Sequence, residues 1–137
     1  MSHMTNAQEP SEEPRWTVAA EKALQLYDLA RSHLHDGNFE DAIQCFLESA
    51  KCFPHFKTYE LLGEQCLLRG DFSNAVLYLS AASGLGVRPF KAKYLLAKAL
   101  VEIGDSRLAV SHLREALSFN PRYKAAEMLL KEIGTVE

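Results

Sequence analysis

The chain has 137 residues, a formal net charge of −3 and 24% charged residues. That balance supplies no global basic field for nucleic acid. No apolar run approaches the ~18 residues needed to cross a bilayer, and the polar, acidic N-terminus lacks the basic-then-apolar order of a signal peptide.

These features lead to an expectation of a cytoplasmic protein with no nucleic-acid and no membrane partner. Three cysteines, Cys45, Cys52 and Cys66, are an odd count, and all fall within helical patterns. A disulfide framework is therefore not expected, and a reducing compartment fits.

Residues 1–15 carry Glu9, Glu12, Glu13, Pro10 and Pro14 without periodicity. They read as a disordered acidic leader, opening on a cloning-type remnant, Met1-Ser2-His3-Met4. A single domain is expected over residues 16–134. Trp16 and Thr17 mark its start, with Thr17 as N-cap and Trp16 stapled onto the first turns. The first helix is predicted from about Val18 to Asp36, with Leu26, Leu29, Ala30 and His33 on one inward stripe. Gly37 ends it. Asn38 is the expected cap of a second helix that buries Ala42, Phe46, Ser49 and Ala50, and Pro54 blocks its continuation.

A third helix, about His55 to Arg69, turns Tyr59, Leu62, Gly63 and Cys66 inward. Gly63 costs ~1 kcal/mol against Ala in mid-helix, so a close helix approach is predicted there. The fourth helix is expected from about Phe72 to Ser83, stopped by Gly84-Leu85-Gly86. The fifth covers about Phe90 to Ile103 and the sixth about Arg107 to Ser118. Asn120-Pro121 reads as cap and first-turn proline of a seventh helix, over about 121–133 and ended by Gly134.

One pattern recurs along this order. Gly70-Asp71-Phe72 with Ala75 and Leu79 repeats Gly37-Asn38-Phe39 with Ala42 and Phe46, and returns as Gly104-Asp105 with Ala109 and Leu113. A fixed period of about 34 residues marks a stacked helical repeat. With Leu62-Gly63, Leu96-Ala97, Pro54 and Pro121, this grammar resembles the tetratricopeptide repeat (TPR) family. The resemblance implies an all-α, right-handed superhelix of three helix-turn-helix repeats, about 23–55, 56–89 and 90–123, closed by a C-terminal capping helix. Lys93, Val87 and Ser49 depart from the family pattern.

Residues for chemistry are scarce. His33 and His35 are two apart, so they face different sides of a helix. Cys45 and Cys52 lie roughly 10 Å apart along one helix, too far to bridge. Gly84-Leu85-Gly86 lacks the preceding strand and following Lys of a phosphate loop. No enzyme, no cofactor and no metal are expected.

The resemblance implies instead that the first helix of each pair lines a groove for a peptide or helix of a partner protein. The stripe that maps there is Leu24, Tyr27, Arg31 and Leu34 on the first repeat. On the second it is Lys57, Glu60, Glu64, Leu67 and the adjacent Leu68, and on the third Lys91, Tyr94, Lys98 and Val101. These side chains are taken as spare to the core. Packing against the leader or an adjacent helix suits Tyr27 and Leu34 equally well, and plain solvation suits Glu60, Glu64 and Lys98.

Some family members clamp the C-terminal carboxylate of heat-shock chaperones with Lys and Asn residues. Those positions hold Tyr27, Arg31, Leu61, Lys91 and Leu95 here, and only Lys91 matches. No chaperone-tail binding is expected. A non-catalytic interaction adaptor is therefore the primary expectation. The alternatives are a self-associating scaffold, with Leu130 and Ile133 as its exposed clue, or a small secretion-type chaperone.

Overall fold

The computed structural model describes residues 14–136, and within them seven helices follow one another without a strand. They are α1 Arg15–His35, α2 Phe39–Cys52, α3 Phe56–Leu68, α4 Phe72–Leu85, α5 Phe90–Glu102, α6 Ser106–Phe119 and α7 Lys124–Val136. Most of the expected acidic leader lies outside the described residues.

Three near-identical turns set the architecture. Gly37, Gly70 and Gly104 have φ of 80°, 79° and 90°, a region only glycine enters without strain. In each turn the glycine N–H and the N–H after it donate back into the previous helix, as Gly70 does to the Leu67 carbonyl at 3.2 Å and Asp71 to the Cys66 carbonyl at 2.8 Å. Asp71 and Asp105 then accept from the backbone N–H groups of Asn74 and Leu108. Asn38, expected to do the same, makes no capping bond through its side chain.

Each turn folds two helices into an antiparallel hairpin: α1 on α2, α3 on α4, α5 on α6. The hairpins stack through α2 on α3 and α4 on α5, and α7 closes the end against α6 and α5. Along the array α3 also meets α5 and α5 meets α7, whereas α2, α4 and α6 stand further from one another. The stack therefore curves with the odd-numbered helices on its concave side.

Small residues at fixed places make the close approaches possible. Ala42, Ala75 and Ala109 are completely buried, as are Phe46, Leu79 and Leu113 four residues on. Two cores result. The smaller holds Ala30, Ala42, Phe46 and Leu62; the larger runs from Cys66 through α4, α5 and α6 to Ile133.

Several boundaries and faces differ from expectation. Arg15 already belongs to α1, and Thr17 is inside it, donating its N–H to the Pro14 carbonyl at 2.9 Å. Trp16 is largely exposed rather than covered by the first turns. Leu29 is also exposed, although its equivalents Leu62 and Leu96 are buried. Those two lie against the preceding repeat, and among the described residues no repeat stands before the first.

Gly84 continues α4, which ends at Leu85. Asn120 does not start α7: its carbonyl accepts from Tyr123 N–H at 3.1 Å and its side-chain oxygen from Arg122 N–H at 3.3 Å. This forms a turn that delays the helix to Lys124. Gly134 lies within α7 rather than ending it.

One polar cluster lies between α5 and α6. Lys93, at a position where the family favours an aromatic, places its amine 3.3 Å from Glu115, and His112 Nδ1 lies 3.6 Å from the same carboxylate. That distance is too long for a hydrogen bond, so the buried Nδ1 has no hydrogen-bond partner. Burial first and the Lys93 charge second pull the His112 pKa below its usual 6.5, against an opposing pull from Glu115.

The folded chain therefore binds this proton less readily than the unfolded one, so stability is full above pH ~6.5 and falls as the pH drops below it. Urea midpoints measured from pH 7.5 to 5 are expected to fall less steeply for His112→Phe than for the parent. Parallel slopes refute the assignment.

Candidate functional site

The concave face is built by α1, α3, α5 and the start of α7. At its centre Lys57 and Glu60 are paired at 3.7 Å, and Glu64 reaches across from α3 to Lys91 on α5 at 3.8 Å. Tyr94 meets Tyr123 edge to face at 5.4 Å, and the Lys98 amine lies 5.6 Å from the centre of the Tyr94 ring. Burial, followed by Tyr94, Glu60 and Glu64, pushes the Tyr123 phenol above its ordinary pKa. Its hydroxyl thus remains a hydrogen-bond donor at neutral pH, facing two carboxylates. The surface is polar and aromatic, with alternating charges held partly out of water.

The thirteen stripe residues do not all behave as expected. Tyr27 packs edge-on against Phe46 at 5.8 Å, and Leu34 also packs on the smaller core. Leu67, Tyr94 and Val101 pack on the larger one. These five are therefore needed for packing, which corrects the idea of a stripe spare to the core. Glu60 is not an ordinary solvated carboxylate, being only 4% exposed. Glu64 is half-buried and paired with Lys91. Leu24 and Leu68 are exposed apolar side chains at 60% and 74%. Arg31 is exposed, its guanidinium carbon 5.8 Å from the centre of the Tyr27 ring, and Lys57 and Lys98 are exposed as well.

The structure gathers Lys57, Glu60, Glu64, Lys91, Tyr94 and Lys98 into one patch. Leu24 and Tyr27 of the first repeat share a hollow with Lys57; Leu67 and Leu68 share another with Glu64 and Lys98; Arg31 and Leu34 stay on the first repeat. Tyr123 was not among the expected residues. It lies 33 positions after Phe90, which itself lies 34 after Phe56, so the repeat period carried past the third repeat points to it.

Among the described residues no group of three His, Cys, Asp or Glu side chains could hold a metal. The cysteines are free thiols, and burial raises the pKa of Cys45 and Cys66 away from the reactive thiolate. No described helix is long and apolar enough to cross a membrane.

Family models of the tetratricopeptide repeat match residues 26–86 and 90–123. The chain belongs to the tetratricopeptide repeat family. Its seven helices form the TPR superhelix that the family resemblance implied. The chain is 28% identical over 133 residues to DnaJ homolog subfamily C member 3 of Gallus gallus, a match covering 96% of this chain and 26% of that one. It therefore spans about a quarter of that relative's length.

Its fold is similar to the first TPR domain of Spaghetti (RPAP3), solved bound to the HSP90 peptide SRMEEVD. The TM-score is 0.80 at 19% identity, over 85% of this chain and 94% of that one. It is also similar to the N-terminal domain of stress-induced protein-1 from C. elegans, with a TM-score of 0.77 at 18% identity, over 85% and 97% of the two chains.

Proposed function

We propose that this TPR domain is a non-catalytic interaction module that holds a peptide or helix of a partner protein along its concave face. The observation that carries this reading is the α3–α5–α7 patch. There Lys91, Tyr94, Lys98 and Tyr123 sit beside two carboxylates on an open inner surface, and rings and cations of this kind anchor protein interfaces. The likeness to a TPR domain solved with the peptide SRMEEVD supports a peptide as the occupant.

The mode of recognition differs from a tail clamp. At the expected clamp positions Leu95 is buried and Leu61 half-buried, and Lys91 already faces Glu64. The occupant is therefore an internal segment of the partner rather than a free C-terminal carboxylate. The self-association alternative loses its clue, because Ile133 is only 6% exposed and belongs to the larger core.

The test is affinity capture from the native host, followed by titration of the recovered partner against Arg31→Ala, Leu68→Ala and Tyr94→Ala. Tyr27 is left intact because its ring supports Phe46. Loss of about fivefold or more in affinity is expected for Tyr94→Ala, the level of an interface anchor. Unchanged affinity in all three variants removes the groove from the model.

A further inference from the structure

α6 ends without a cation of its own, since none of its last-turn residues is basic. The final carbonyls of a helix are left without intrahelical partners and carry partial negative charge. The Ala116 carbonyl accepts from the Asn120 N–H at 2.9 Å. The Phe119 carbonyl is satisfied from outside: Arg88, on the α4–α5 loop 31 residues earlier, donates to it from its guanidinium. One contact thus pairs an orphan acceptor and sets a cation at the negative end of the helix. The residue in the same place one repeat earlier, His55, stays within its own turn, where its Nδ1 accepts from the Lys57 N–H at 3.1 Å.

What Arg88 holds is the segment that carries Tyr123. Phe119 is the last residue of α6, and the turn after it closes with the Tyr123 N–H donating to the Asn120 carbonyl at 3.1 Å. The same loop reaches the ring as well. The Phe90 N–H donates to the Arg88 carbonyl at 2.8 Å, and the Phe90 ring meets Tyr123 edge to face at 5.2 Å. The α6–α7 turn is therefore gripped at two points, its backbone at Phe119 and its side chain at Tyr123.

We propose that Arg88 is a positioning residue of the concave patch: by tying the end of α6 to the α4–α5 loop, it sets the Tyr123 hydroxyl beside Tyr94 and the two carboxylates. This rests on the reading of that patch as a binding surface and deepens it, by naming what orients the ring that comes from beyond the third repeat.

Tyrosine ring-carbon shifts, followed by NMR from about pH 8 to about 12, test it on the protein alone. Tyr123→Phe assigns the Tyr123 signal. Two mechanisms move that phenol in opposite directions. Removing the Arg88 charge alone would push its pKa further up, whereas freeing the ring into water would bring it down toward the ordinary value. In Arg88→Ala the pKa of Tyr123 is expected to fall. Its backbone N–H should exchange with solvent about tenfold faster, the worth of one hydrogen bond made by a charged group.

Tyr78, whose phenol burial also holds above its ordinary value, reports on the array as a whole and should not move. Arg88→Lys, which keeps the charge and a donor, should lie close to the parent. An unmoved or higher Tyr123 pKa in Arg88→Ala overturns the proposal, as does an unmoved exchange rate. Equal changes at Tyr123 and Tyr78, or an Arg88→Lys variant no closer to the parent than Arg88→Ala, overturn it too. None of these readouts needs an occupant, so they succeed or fail independently of the titrations with the recovered partner.

Discussion

Phe46→Ala is expected to destabilise the domain by about 3–5 kcal/mol, the cost of emptying a fully buried aromatic site. For a domain of this size that corresponds to a drop in Tm of roughly 10–20 °C. Phe46 has no exposed surface and is the largest side chain of the smaller core, whose other buried members are Ala30, Ala42 and Leu62. Two of these are alanines that cannot move in to fill the space. Tyr27, edge-on to the Phe46 ring, would lose its support as well. Phe46→Leu, which matches Leu79 and Leu113 in the other repeats, should cost far less. Thermal unfolding followed by circular dichroism measures both, and equal losses for Ala and Leu would show that volume at this site is not what matters.

Gly63→Ala is expected to lower stability by about 1–3 kcal/mol, although alanine favours a helix over glycine by ~1 kcal/mol. A Cβ on Gly63 would lie 2.3 Å from Leu79 Cγ and 3.2 Å from the Leu79 backbone nitrogen. Leu79 is completely buried, so its branch point has nowhere to go, and α3 must move off α4. The double variant Gly63→Ala with Leu79→Val, by shortening the facing side chain, should recover part of the loss. Strict additivity in urea unfolding would mean that the two sites do not touch. A stabilised Gly63→Ala would mean that the close approach is absent.

The close approach at Gly63 was legible in the sequence. A glycine in mid-helix makes physical sense only where a neighbour comes too near for a side chain, and Ala30 and Ala97 hold the equivalent positions. The turns were legible for a related reason, because Gly37, Gly70 and Gly104 each precede a residue able to cap.

What was not legible depends on neighbours rather than on spacing. Leu29 has the spacing of a core residue, but among the described residues no earlier repeat covers it. Glu60 has the spacing and charge of a solvated residue, yet it is buried and paired with Lys57. Asn120-Pro121 has the composition of a helix start, but the Asn120 carbonyl and side chain are engaged in a turn. For the candidate site, periodicity placed the stripe on the concave face. It could not show which members would be drawn into packing, nor that Tyr123 from α7 would complete the patch.

The first and third helices do not meet along the array as the third and fifth do, and this bears on cooperativity. With α1 held off α3, the first hairpin joins the rest of the molecule chiefly along α2, and Tyr78 on α4 is the half-buried ring that packs on both cores. Such a seam lets α1 and α2 detach as a unit at a lower free energy than global unfolding requires. A polypeptide lodged across the seam would stitch the two parts together, so occupancy and rigidity of the N-terminal third would rise and fall as one.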